Sequence, residues 1–155
     1  MPADSDALVL LCCGDREQIA ALQAAAAEPL AAALKLPAGR LELLPVDPGM
    51  SLAGEALHRA AQLGAARRSC LLLLSAEQLG SGVAAATTAL LAQWQVPLLG
   101  LVQWGSPWLP EARRLDGLPW LGWLEAGNNT AGSDSAAALR QAAALRWQLL
   151  RAEQR

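Results

Sequence analysis

The sequence predicts a single-domain α/β fold: a doubly wound, mostly parallel sheet with helices on both faces. Apolar runs of strand length alternate with alanine-rich segments of helix length, an order typical of β-α-β units. The clearest runs, at residues 7–13 and 70–75, are almost continuously apolar, as in parallel strands that are buried on both faces. A chain of 155 residues is long enough for one hydrophobic core.

The first predicted β-α-β unit begins with strand 7–13, which ends at Gly14. Asp15 is placed to cap a helix over residues 16–35. Pro29 is expected to kink that helix or to divide it into two, because proline lacks the N–H group that the helix needs.

The second unit begins with residues 41–46, which alternate more between apolar and polar side chains and predict a strand nearer the edge of the sheet. A loop rich in proline follows at residues 45–49. Ser51 suits the N-cap of a helix that runs to Leu63, and Gly64 suits its C-terminal stop.

The remaining elements continue the alternation. After strand 70–75 we expect a helix at 83–95, a strand at 97–103, and a short strand or extended segment at 119–124. The most continuously apolar segments, 7–13, 70–75 and 97–103, are predicted to be adjacent parallel strands at the centre of the sheet.

The predicted α/β domain covers residues 7–126, after a flexible N-terminus at 1–6. A polar linker at 127–133 leads to a C-terminal helix within 134–155, which is expected to pack on the domain or extend from it. One face of that helix is predicted to carry its large apolar side chains: Leu139, Leu145, Leu149 and Leu150.

Composition and charge exclude several classes of protein. Hydrophobic residues make up 54% and charged residues 17%, which is too apolar for a disordered chain. The longest uncharged stretches are too short or too interrupted for a bilayer span, so no membrane insertion is expected. The net charge is −2 and the arginines are scattered, which argues against nucleic-acid binding.

The cysteines indicate the compartment. Cys12, Cys13 and Cys70 are odd in number and lie in apolar runs, which favours buried free thiols over disulfides. The acidic start of the sequence lacks the basic leader of a signal peptide. A cytoplasmic location is therefore expected.

In open parallel sheets, ligands bind beyond the carboxyl ends of the strands, so four predicted loops are candidate sites. Nine residues of these loops are candidate ligand contacts: Cys13, Gly14, Asp15, Asp47, Gly80, Ser81, Gly82, Trp104 and Trp108. Asp15 and Glu77 are the candidate catalytic residues, because two carboxylates on converging loops can act as acid and base. Capping and turn formation explain Asp15 and Asp47 equally well.

The turn at residues 80–82 precedes a predicted helix, so its backbone N–H groups can face an anion, although a flexible β-α turn explains it as well. No Walker A motif occurs and Lys35 is the only lysine, which excludes a P-loop nucleotidase. His58, the single histidine, is interpreted as a surface or packing residue, and no cofactor is expected. Cys13 is the candidate metal ligand, with a buried structural thiol as the alternative.

Four of the six tryptophans lie in the segment 104–123, which prolines and glycines interrupt repeatedly. The segment is too broken for one helix, and if it closes over the C-terminal edge of the sheet, at least one of its indoles is expected to stay partly exposed. These tryptophans are interpreted as core residues, as a platform for a flat ligand, or as an interface for a homo-oligomer or protein partner. On the interface hypothesis, Trp104→Ala or Trp108→Ala weakens association by about 2 kcal/mol or more.

The order of elements from residue 7 to residue 82 resembles the class II chelatases, the sirohydrochlorin and cobalt chelatases. Segment 51–64, followed by an apolar strand and a glycine-containing loop, carries the likeness. Residues 13–15 (Cys-Gly-Asp) stand where that family has its first histidine motif, and residues 80–82 (Gly-Ser-Gly) stand where it has its second. The resemblance implies a chelatase-like fold with an altered, degenerate set of metal ligands.

The second half resembles the distal part of dethiobiotin-synthetase-type P-loop proteins, through residues 71–104 and the segment 115–124. Three hypotheses about function follow. The leading one is a non-catalytic α/β binding or scaffolding protein of degenerate chelatase-like form, which holds a small flat or anionic ligand or a partner. The second is a tetrapyrrole metal chelatase that uses Cys13 with Asp15 or Glu77 in place of histidines. The third is an oligomeric structural or interaction protein derived from a P-loop-type fold.

Overall fold

Apolar strands and alanine-rich helices alternate along the chain. The computed structural model describes residues 7–37, 40–46, 53–105, 107–127 and 132–153, apart from the side chains of residues 53–58. Within these residues one sheet contains the strands β1 (Leu8–Cys12), β2 (Leu41–Pro45), β3 (Cys70–Ser75), β4 (Leu98–Trp104) and β5 (Trp120–Leu124). The α-helices are α1 (Arg16–Ala33), α2 (Ala53–Ala65), α3 (Val83–Gln93), α4 (Pro110–Leu115) and α5 (Asp134–Glu153), and a short 3-10 helix, Ala76–Gly80, follows β3.

The neighbouring strands are all parallel, in the order β2-β1-β3-β4-β5. β1, β3 and β4 therefore occupy the centre, which confirms the prediction made from their continuous apolar runs. β2 lies at an edge, as its alternating sequence predicts. The chain passes outward from β1 to β2, then returns to β3 and continues in the opposite direction. The topological switch point, where such sheets bind ligands, thus lies between β1 and β3.

Alternate residues of the central strands face opposite layers of helices. In β1, Leu10 packs in a core with α1 and α5, whereas Leu11 packs in a second core with α2 and α3. In β3, Leu71 and Leu72 divide between the two cores in the same way. Helices cover both faces of the sheet, which explains why these strands need apolar side chains at nearly every position.

Three helices end in the same motif, with a non-glycine residue in the left-handed conformation. These residues are Lys35 (φ 53°), Arg67 (φ 50°) and Gln95 (φ 55°). After α1, the N–H of Lys35 donates to the carbonyl of Ala32 and the N–H of Leu36 donates to that of Ala31. This pair of bonds is a Schellman motif, and the same pair closes α2 and α3. Glycine is the usual residue here because it has no Cβ to clash.

Gly64 does not end α2, so the sequence prediction for this helix end is wrong. The helix continues to Ala65, and Arg67 takes the left-handed position. Gly64 lies where α2 approaches the end of α3, and a Cβ there would overlap the carbonyl oxygen of Trp94. The glycine therefore serves helix packing and not helix termination.

Pro29 does not divide α1, which runs unbroken from Arg16 to Ala33. Ala26 and Leu30, on either side of the proline, are fully buried in the core shared with α5. Tertiary packing thus holds the helix together across a residue that is unfavourable within it.

α5 packs against β4, β5 and α1, with Leu139 and Leu150 buried as predicted. Leu145 and Leu149, however, are 61% and 49% exposed, so the predicted four-leucine face is wrong. The buried stripe consists of Ala136, Leu139, Ala143 and Leu150. The two alanines of this stripe let α5 lie close to the sheet. Leu145 and Leu149 lie off the stripe and face solvent.

α4 has no counterpart in the sequence prediction, which left this region irregular. It begins at Pro110, and proline suits the first position of a helix because its missing N–H needs no partner there. Residues 1–6, the linker residues 128–131, Asp47 and Ser51 lie outside the described residues. No helix among the described residues combines the length and the apolar character of a membrane span.

Candidate functional site

The loop after β1 carries three of the predicted site residues: Cys13, Gly14 and Asp15. Asp15 is the N-cap of α1, and its Oδ1 accepts a 2.8 Å hydrogen bond from the N–H of Gln18. The Oε1 of Gln18 accepts a 3.0 Å bond from the N–H of Asp15 in return. This capping box gives the Asp15 carboxylate a structural role at the helix start.

The loop after β3 reaches across the switch point through Gln78, which is 8% exposed. Its Oε1 accepts a 3.0 Å bond from the N–H of Ser75, and its Nε2 donates a 2.6 Å bond to the carbonyl oxygen of Cys13. The two central loops are therefore joined by one side chain.

Gly14 lies where the two glutamines meet. A Cβ at this position would lie 2.5 Å from Oε1 of Gln18 and 3.0 Å from Nε2 of Gln78, and its φ of 117° also favours glycine. Gln18 and Gln78 were missed by the sequence reasoning. The spacings Asp15-x-x-Gln18 and Ser75-x-x-Gln78 match the capping-box pattern and were the available signal.

The two candidate catalytic carboxylates do not form a pair. Asp15 and Glu77 are both exposed, and no hydrogen bond links them in the described part of the chain. The third carboxylate of this edge, Asp47, lies outside the described residues. The geometry therefore brings together two glutamines where sequence reasoning placed carboxylates.

The cysteines are free and buried. Burial, with a smaller contribution from neighbouring Cys13, raises the pKa of Cys12 from 9.0 to about 12. Burial likewise raises the pKa of Cys70 to about 12, although nearby Arg68 opposes the rise. These two thiols stay protonated near neutral pH and are poor nucleophiles.

Cys13 is fully buried in the core shared with α2 and α3. Among the described residues, no group of three or more His, Cys, Asp or Glu side chains could hold a metal ion. The side chain of Cys13 faces α2 and α3, whereas its carbonyl oxygen faces Gln78.

The turn at residues 80–82 is exposed. Gly82 adopts φ 75° at the start of α3, and no atom lies within 4 Å of a Cβ built at Gly80 or Gly82. The Ser81 hydroxyl donates a 2.8 Å bond to the carbonyl oxygen of Gln78, so it turns back into its own loop.

A cleft of about 370 Å³ opens beside the switch point, between α1, the 3-10 helix and the end of β4. We call it the Trp104 cleft; its lining includes Gln18, Ala21, Ala25, Ala76, Glu77 and Trp104. Glu77 is the only charged residue among the described residues that line it. The half-buried Trp104 packs against the core shared with α1 and α5.

Of the two tryptophans predicted as ligand contacts, Trp104 lines this cleft and Trp108 is not among its described lining residues. Trp120 packs against the core on the opposite face of the sheet. Trp108 meets it edge to face, with ring centroids 5.9 Å apart and planes at 75°. The Nε1 of Trp120 donates a 2.8 Å bond to Asp116, and the Arg113 guanidinium lies 5.2 Å from its ring centroid.

Trp104, Trp108, Trp120 and Trp123 are all half-buried, which confirms the expectation that at least one indole of this segment stays partly exposed. Gln103 fixes the loop between Trp104 and Trp108. Its Nε2 donates to the carbonyl oxygens of Gly105 and Pro107 at 2.8 and 3.0 Å. This clamp orients the tryptophans on either side of the loop.

No protein-family model matches this sequence, and no curated protein matches it either.

Proposed function

We propose that this chain is a non-catalytic, cytoplasmic α/β binding protein that holds a small flat ligand in the Trp104 cleft. The observation that carries the proposal is the hydrogen bond from Gln78 to Cys13. It fills the switch point with the protein's own side chain, and the cleft beside it is large enough for a small molecule. The cytoplasmic location rests on the three buried free cysteines.

The polar groups nearest to the switch point support binding over catalysis. Asp15 caps α1, and both Gln18 and Gln78 are engaged in hydrogen bonds to the backbone. A general acid or base must be able to exchange a proton with a substrate, and these groups hold loops together instead. On this proposal, the resemblance to the class II chelatases extends to the fold and not to catalysis.

The lining of the cleft favours a planar neutral or cationic ligand. The half-buried indole of Trp104 offers a flat aromatic surface, and Ala21, Ala25 and Ala76 leave room beside it. Glu77 places a negative charge at the cleft, which attracts a cation and repels an anion. A cation over the indole face gains cation–π attraction in addition.

Titration calorimetry with proflavine, a planar cation, tests the proposal. We expect saturable binding that Trp104→Ala weakens by about tenfold or more, because stacking and cation–π contact are lost together. Trp94→Ala is the matched control, since Trp94 is 40% exposed and lies at the end of α3, away from the cleft. Equal affinity in both variants, or equal binding of a planar sulfonate, contradicts the proposal.

A scaffolding role is the second candidate, and two exposed leucines favour it. Leu109 is the N-cap of α4 and Leu115 is its last residue; they are 55% and 88% exposed, and Leu109 directly follows Trp108 in the sequence. Large apolar side chains clustered at a surface often mark a contact site. Light scattering of a Leu109→Ser/Leu115→Ser variant should show a lower mass than the wild type, whereas Leu145→Ser, at an exposed position of α5, should not. A monomeric wild type contradicts self-association through this surface.

A further inference from the structure

A second cleft of about 490 Å³ lies at the opposite edge of the sheet from the Trp104 cleft. It is bounded by the ends of α2, α3 and α5 and by the start of β4. Leu98 lines it at the first residue of β4, and Trp104 is the last residue of that strand, so the two clefts are separated by roughly 20 Å. We call it the Arg67 cleft.

The charges of the Arg67 cleft are the reverse of those of the Trp104 cleft. Arg67 and Arg146 both line it, and neither makes an ion pair within the described part of the chain. Among the described residues that line it, Glu153 is the only acidic one, so the side chains of these residues carry an excess of one positive charge. Guanidinium groups bind carboxylate and phosphate oxygens through paired, charge-assisted hydrogen bonds.

Two lining residues hold a strained backbone conformation. Arg67 and Gln95 have φ of 50° and 55°, at helix ends where glycine is unstrained. Both nevertheless carry long polar side chains, and both line the same cleft. The two residues thus border one space from two different helix ends.

The remaining wall is apolar. Val96, Leu98, Pro119 and Leu150 line the cleft beside the arginines. An apolar wall next to an excess positive charge suits a ligand that has both an apolar part and a negatively charged group.

We propose that the Arg67 cleft binds a small amphipathic anion, with its carboxylate or phosphate group on Arg67 and Arg146 and its short apolar body against the wall. The site is independent of the Trp104 cleft. Carboxylate and phosphate ligands share an oxyanion group on an apolar chain. Two probes distinguish them: octanoate carries a carboxylate, and octyl phosphate carries a phosphate.

Titration calorimetry on the full chain tests the proposal with Arg67→Gly and Lys35→Gly. Both variants relieve the same left-handed strain, so both are expected to fold at least as stably as the wild type. Lys35 lines neither cleft, which makes it the matched control. We expect at least one probe to bind the wild type and Lys35→Gly equally, and Arg67→Gly to bind it about tenfold more weakly.

Arg146→Gln should show a similar loss, and octanol, which has the apolar body without the charge, should not bind. The proposal is overturned if neither anion binds the wild type, if Arg67→Gly binds as tightly as Lys35→Gly, or if octanol binds as tightly as the anions. Proflavine binding at the Trp104 cleft should be unchanged in Arg67→Gly, so the two sites stand or fall separately.

Discussion

Gln78 ties the loop after β3 to Cys13 in the loop after β1, through a 2.6 Å hydrogen bond from its Nε2 to the Cys13 carbonyl oxygen. The same side chain accepts a bond from the N–H of Ser75. The bond therefore closes the point at which an open α/β sheet of this topology usually admits a ligand. We therefore expect the stability of the two central loops to depend on it.

Gln78→Ala is expected to lower the free energy of unfolding by about 1–3 kcal/mol, because it removes the buried hydrogen bond from Gln78 to the Cys13 carbonyl. Gln78→Glu should cost more, since a carboxylate oxygen would replace the amide donor opposite that carbonyl. Urea denaturation measures both. Gln93→Ala, at an exposed residue of α3, is the control and should change stability by less than about 0.5 kcal/mol. A Gln78→Ala variant as stable as this control would show that the bond contributes nothing.

Substitution by alanine should have different effects on stability at two glycines. Gly64→Ala places a Cβ against the Trp94 carbonyl and should destabilise the fold by about 1–3 kcal/mol, because α2 and α3 must move apart. Gly80→Ala meets no atom within 4 Å and should be neutral or slightly stabilising. Thermal melting of the pair checks this, and equal melting temperatures would contradict the packing assigned to Gly64.

Lys35→Gly and Gln95→Gly are each expected to stabilise the protein by about 0.5–1 kcal/mol. Relief of the left-handed strain exceeds the added entropy of glycine in the unfolded chain. Ala32→Gly, within α1, is the control and should destabilise by about 1 kcal/mol. Loss of stability in both helix-end variants would mean that these residues are not held in a strained conformation.

The raised pKa values of Cys12 and Cys70 predict a loss of stability at alkaline pH. In the unfolded chain these thiols ionise near the ordinary value of 9.0, whereas in the folded chain they keep their protons to about pH 12. The folded state therefore binds more protons in this window, and the free energy of unfolding falls as pH rises above about 9. Each cysteine contributes up to about 1.4 kcal/mol per pH unit.

Urea denaturation at several pH values between about 8 and 10.5 measures that slope, because this range includes the ordinary pKa of a thiol. A Cys12→Ala/Cys70→Ala variant should show a clearly shallower decline than the wild type, whatever its stability at neutral pH. Parallel slopes in the two proteins would contradict the assignment of the effect to these thiols.

The central strands could be predicted from sequence because burial on both faces demands apolar residues at every position. Leu10 and Leu11 face opposite cores, so a continuous run was the only pattern that fits. Gly64 misled the prediction because glycine suits both a helix end and a close helix contact. Only the position of Trp94, distant in sequence, decides between the two.

The side-by-side arrangement of the two central loops could be predicted, but the residues that join them and line the cleft could not. The topology placed the loops after β1 and β3 side by side, as expected for strands at the centre. The residue that joins them, Gln78, has no individual signature beyond a capping-box spacing, and its partner is a backbone carbonyl, which sequence patterns do not reveal. The split between Trp104 and Trp120 likewise depends on which face of the sheet each residue occupies.

The most direct test of ligand binding at the Trp104 cleft is a two-dimensional proton–nitrogen NMR titration of the labelled protein with proflavine. Binding there predicts saturable shifts of the Trp104 indole N–H and of the backbone amides of Ala21, Ala25, Ala76 and Glu77, which line the cleft. The indole of Trp147, a residue of α5 that packs against the core shared with α1 and has Arg151 near its ring, should not shift. Shifts confined to Trp147 or to the Trp108–Trp120 pair, or no saturable shift at all, would contradict the account.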